Sequence, residues 1–116
     1  MSRSVLLQLS RDSIEEVLQT QQTIDKAHLL KAHPLLNNSV PTTINLYLEN
    51  KLRGFYKNSG NLSLFDSVNI GAKKAAFEDK NFKPLSVSEY LRCEIELILD
   101  TTEGLISERD VALVSY

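Results

Sequence analysis

Two short motifs in the middle of the chain hold the residues best placed to do chemistry. Arg53 lies in Leu52-Arg53-Gly54, and Asp79 opens Asp79-Lys80-Asn81-Phe82-Lys83-Pro84-Leu85. A glycine beside a strand arginine leaves room for another group to approach the backbone. Asp79 falls at the carboxyl end of an expected helix, where the dipole disfavours a carboxylate. An acid in that position calls for a compensating partner, and Arg53 is the candidate. The favoured reading is an Arg53–Asp79 ion pair that locks the fold. The alternative is an anion-binding or partner-docking corner made of Arg53, Gly54, Phe55, Asp79, Asn81 and Phe82.

The remaining reactive side chains point to no catalytic centre. A catalytic cysteine needs a thiolate stabilised by a cation or a helix amino terminus. Cys93 instead has the inward parity of an apolar strand, where it acts as a small hydrophobe. His28 and His33 do not stack on one helical face and have no Cys, Asp or Glu at ligand-like spacing. A surface role is expected for both, with no metal. No serine sits in a G-x-S-x-G elbow, and Gly54, Gly60, Gly71 and Gly104 are too dispersed for a phosphate loop. No catalytic residue and no cofactor are assigned.

The elements that must position these residues belong to one domain. The 116 residues are 42% hydrophobic and 24% charged, ordinary for a globular protein with one core. The formal net charge of −2, with Lys and Arg scattered, argues against nucleic-acid binding. No apolar run approaches the ~20 residues of a membrane span. The apolar stretch after Met1-Ser2-Arg3-Ser4 is broken by Gln8, too early for a signal peptide. With one cysteine, no internal disulfide is possible, and a cytoplasmic location is expected.

Residues 4–20 read as an amphipathic helix, with Val5, Leu6, Leu7, Leu9, Ile14, Val17 and Leu18 inward. Gln8, Arg11, Asp12, Glu15, Glu16 and Gln19 form its wet face. One or two helical turns follow around residues 24–30, then loops bounded by Pro34 and Pro41. Thr42–Glu49 alternates as a strand, Glu49-Asn50 turns, and Lys51–Lys57 returns. Ser63 caps a helix to about Glu78, whose Gly71, Ala72, Ala75 and Ala76 permit close packing on a sheet. Ser86-Val87-Ser88-Glu89 is a capping box. Cys93–Leu99 alternates again. A second hairpin is expected from Gly104–Ser107 and Val111–Val114 around a Glu108-Arg109-Asp110 turn. Strands and helices without regular βαβ order give an α+β fold with a mainly antiparallel sheet.

The order of these motifs resembles the AMMECR-like family, also called AmmeMemoRadiSam system protein A. That family carries a hairpin with L-R-G-C-I-G, a helix ending A-A-x-x-D-x-R-F-P-P-L, an I-E-V strand and a G-L-I hairpin. Here stand Leu52-Arg53-Gly54, then Ala75-Ala76 through Asp79, Phe82 and Pro84-Leu85, then Ile95-Glu96-Leu97 and Gly104-Leu105-Ile106. Phe55-Tyr56-Lys57 replaces C-I-G, so the motif cysteine is missing; Asn81 and Lys83 replace the arginine and the first proline. The chain resembles a member shortened at its carboxyl end, Tyr116. The resemblance implies an accessory or interaction module whose partners are a Memo-like protein and a radical S-adenosylmethionine enzyme. The alternatives are a small enzyme or anionic-metabolite-binding protein using the Arg53 corner, and a degenerate copy retaining only the fold. The oligomeric state is left open.

Overall fold

Helix α1 spans Val5–Gln19, between a Ser4 cap whose hydroxyl accepts from the Leu7 N–H and a Thr20 cap in the left-handed region. In this computed structural model, which describes residues 3–114, four helices and four strands follow in α+β order. The readings at Met1-Ser2 and at the chain end, Tyr116, lie outside the described residues. Helix α2 (Lys26–Ala32) is capped by Asp25 and followed by a 3-10 turn over Pro34–Asn37. Helix α3 (Leu64–Phe77) starts at the expected Ser63 cap, and α4 (Val87–Arg92) carries the capping box of Ser86 and Glu89.

Strands β1 (Thr42–Leu48), β2 (Lys51–Asn58), β3 (Glu94–Thr101) and β4 (Gly104–Asp110) form one antiparallel sheet in the order β2-β1-β3-β4. The β1–β2 turn is Glu49-Asn50, both at positive φ, as the twist of a two-residue hairpin requires. Helices α1 and α3 cover one sheet face. There Ile44, Leu46, Ile95 and Leu97 meet Leu7, Leu9, Ile14, Val68, Ala72 and Ala75 in the core. The small residues of α3 act as expected: a Cβ added at Gly71 would lie 2.6 Å from the Tyr56 ring and 2.9 Å from Ile44. At Gly54 it would lie 2.1 Å from the Ala75 carbonyl oxygen, so β2 and α3 touch backbone to backbone.

Three expectations about these elements need correcting. The second hairpin turns at Thr102-Glu103, where Gly104 has φ +120° and Thr101 Oγ1 donates to the Gly104 carbonyl. Glu108, Arg109 and Asp110 therefore lie within β4, and Val111–Val114 form no strand. The correct signal was Gly104 itself, the residue able to take that positive φ without strain. Arg11 is the second: it lies not on a wet face but among the largest fully buried side chains, at 1% exposure. Four residues advance a helix by about 40° past a full turn, so Arg11 follows Leu7 closely around the wheel. Val17, counted as inward, is exposed instead.

Candidate functional site

The six corner residues are carried by the β1–β2 hairpin and by the segment leaving α3. A register shift between Leu46 and Tyr47 pairs Leu46 with Gly54 and Tyr47 with Leu52, so Arg53 is an extra residue without a cross-strand partner. Its side chain is largely buried and reaches the start of α4. Arg53 Nε and Nη2 donate to the two Glu89 carboxylate oxygens, each at 3.1 Å, and Nη2 donates to the Lys83 carbonyl at 2.7 Å. The guanidinium lies 5.1 Å from the Phe82 ring centroid. Bidentate pairing with Arg53, followed by the Ser86 N–H bond, holds the Glu89 carboxyl below its ordinary pKa although burial opposes this. Arg53 Nη1 is buried with no hydrogen-bond partner.

The expected Arg53–Asp79 pair does not form. Asp79 Oδ2 accepts from the Phe55 N–H at 3.0 Å, and Oδ1 accepts from the Asn81 N–H at 2.9 Å. The acid beyond α3 is thus satisfied by backbone donors rather than by a cation. Glu89, already engaged as the capping residue of α4, supplies the charge for Arg53. All six corner residues come together, with Glu89 and Lys83 joining them. Sequence reading missed Glu89 because its capping-box spacing accounted for it without a long-range partner.

A second polar cluster, absent from the sequence reading, ties α1 to the end of β4. Arg11 Nε donates to Asp110 Oδ2 at 2.6 Å, and Arg11 Nη2 donates to the Cys93 and Val111 carbonyls at 3.0 and 2.9 Å. Arg3 donates to the same Asp110 oxygen at 2.9 Å. The Tyr90 ring lies 5.2 Å from the Arg11 guanidinium, and its hydroxyl donates to Glu15. Cys93 is fully buried, and burial raises its thiol pKa despite the nearby Arg11. The thiol therefore stays protonated and inward, the setting expected for a small hydrophobe.

His28 and His33 are both exposed, and no group of three or more His, Cys, Asp or Glu that could hold a metal occurs among the described residues. No described helix is long and apolar enough to cross a membrane. Cavities of about 420, 390, 290 and 260 Å³ lie against α1 and the chain's two ends, and Arg53 lines none of these four.

An antiparallel sheet with two helices on one face, and an arginine bulge closed by the loop after α3, defines a small α+β domain. Residues 7–112 match the AMMECR1 family, and the chain belongs to it. Among solved structures, the chain is similar to the uncharacterised protein PH0010 from Pyrococcus horikoshii. The two share 24% identity and a TM-score of 0.71 over 81% of this chain and 48% of that one. The chain thus spans about half the length of the relative it matches, and that likeness shows the fold. A comparison with curated proteins found no match.

Proposed function

We propose that this chain is a cytoplasmic protein-interaction or accessory module and not a self-sufficient enzyme. The observation that carries this reading is the contrast between two surfaces. Arg53, the one cation among the six expected corner residues, is taken up by Glu89, the Lys83 carbonyl and Phe82. An incoming anion has to displace a carboxylate already bound there. An open apolar groove of about 260 Å³ lies elsewhere, between α1, α4 and the terminal segment. Its walls include Leu18, Tyr90 and the solvent-exposed Val87, Leu91 and Leu113. Exposed apolar side chains around a groove mark a surface that gains by being covered. By the resemblance already drawn, the partners are a Memo-like protein and a radical S-adenosylmethionine enzyme.

The test is a titration of the chain with each purified partner type from the same genome. Binding of at least one is expected, with Leu113→Asp raising Kd about tenfold or more, a loss of at least 1.4 kcal/mol. Failure of both to bind overturns the reading. One observation favours the alternative of an anionic metabolite at the corner: the buried, unpartnered Arg53 Nη1. Inorganic phosphate that raises the thermal midpoint of the native chain, but not that of Arg53→Met, supports the alternative.

A further inference from the structure

The two edges of the sheet are treated differently. On β2 the Phe55 N–H points away from β1 and is met by the Asp79 carboxylate, so a side chain occupies that position of the edge. In an antiparallel ladder the backbone groups of alternate residues point to opposite sides. Carried across the registers, this turns Ile95, Leu97 and Leu99 of β3 toward Asp110, Glu108 and Ile106 of β4. The N–H and C=O groups of Leu105, Ser107 and Arg109 then face outward. Among the described residues, no hydrogen bond reaches any of these six groups. The same strand exposes Leu105 at 72% and Ile106 at 52%. An open edge with unpaired backbone groups and exposed apolar side chains at one end is a template for another strand.

We propose that β4 pairs antiparallel with β4 of a second copy, centred on Ser107, to give a continuous eight-stranded sheet. The occupant is argued from the strand's own sequence. About Ser107 the strand overlaps itself over its whole length, and all six free backbone groups of each copy find partners. Arg109 faces Leu105 of the second copy, Glu108 faces Ile106, and Asp110 faces Gly104, so no like charges are opposed. A register centred on Glu108 sets that carboxylate against itself. This inference concerns the chain's own assembly and goes beyond the partner reading above. It is tested on the chain alone.

Analytical ultracentrifugation of the whole chain should show a concentration-dependent dimer. Ser107→Pro removes an outward donor without touching the β3 ladder and should raise the dimer Kd at least tenfold, with the circular dichroism spectrum unchanged. Should that variant unfold, Leu105→Arg and Leu105→Glu decide. The first sets a guanidinium against Arg109 of the second copy and should weaken the dimer; the second should keep it. Oxidised Ser107→Cys should cross-link to itself, because hydrogen-bonded pairs lie about 5.5 Å apart between Cα atoms, within disulfide reach. Lys31→Cys on α2 should not, and buried Cys93 does not compete. A chain that stays monomeric at every concentration overturns the proposal. So does a dimer indifferent to Leu105→Arg, or one that Ser107→Cys fails to cross-link.

Discussion

Arg11 and Asp110, 99 residues apart in sequence, meet at 2.6 Å with Arg11 1% and Asp110 7% exposed. A buried pair with good hydrogen bonds contributes little over an apolar replacement, but losing one partner leaves the other under-compensated. Because Arg3 still donates to the same Asp110 oxygen, Arg11→Met should cost toward the lower end of about 3–5 kcal/mol of unfolding free energy. Adding Asp110→Leu should recover part of that loss. Urea unfolding of the two single variants and the double variant checks it; additive losses contradict it.

The Arg53 corner makes the same kind of claim with a different partner. A double-mutant cycle of Arg53→Met and Glu89→Gln should give a coupling of about 0.5–3 kcal/mol. The cycle of Arg53→Met with Asp79→Ala should lie within about 0.5 kcal/mol of zero, the value for groups sharing no contact. Asp79→Ala alone should cost about 0.5–1.5 kcal/mol through the Phe55 N–H bond. A larger coupling to Asp79 than to Glu89 would show the pairing to be wrong.

Glycine substitutions should be costly at two sites for different reasons. Gly71→Leu drives a side chain into Tyr56 and Ile44 and should lose ~1–3 kcal/mol or more. Gly54→Ala meets the Ala75 carbonyl, a backbone atom that cannot swing aside, and should cost more than Gly71→Ala. Thermal midpoints measure both, and an unchanged midpoint for either places that glycine away from the helix–sheet contact.

Stability should fall in acid below the ordinary glutamate range. Arg53 lowers the Glu89 carboxyl. Burial works to raise that of Glu16, but hydrogen bonds from the Ile24 N–H, Lys73 and the Thr23 N–H lower it overall. For a group depressed in the folded state, the unfolded chain takes up its proton first, near pH ~4.3. The contribution is complete above that pH and disappears as pH falls through the folded values. Urea midpoints should therefore decline below about pH 4.3, less steeply in Glu89→Gln. Identical slopes for the native chain and Glu89→Gln would contradict this.

Cys93→Ala should leave partner binding intact and cost only a modest amount of stability, as for a small buried hydrophobe. The native thiol, buried and raised in pKa, should react with a thiol reagent far more slowly than the unfolded chain. Labelling at equal rates in both states would reopen Cys93 as a reactive group.

Local rules made most of the elements legible. Ser63 and Ser86 announce their helices, the apolar pattern of residues 4–20 its own, Glu49-Asn50 its turn, and the alternation of Cys93–Leu99 its strand. That Arg53, Gly54, Phe55, Asp79, Asn81 and Phe82 lie near one another was legible for the same reason, since each belongs to one of two short motifs; that Glu89 and Lys83 join them was not. Which acid meets Arg53 was not, because Glu89 had a sufficient local role and Asp79 looked electrostatically stranded. Arg11 was hidden by its charge. A guanidinium on an amphipathic helix is ordinarily a surface group, and only the distant Asp110, Cys93 and Val111 make its burial tolerable. Pairings across 99 residues leave no local pattern to read.

The bulge in β2 has a consequence for how the L-R-G motif can vary. Because Tyr47 faces Leu52 and Leu46 faces Gly54, Arg53 is the one position the hairpin could lose without breaking its ladder. Deleting it would leave an uninterrupted ribbon from the Glu49-Asn50 turn to Asn58. The loop after α3 would then have no guanidinium to gather around. In this hairpin Arg53 therefore serves the corner through its side chain and not the sheet through its backbone pairing, so deleting it should dissolve the corner while leaving the sheet.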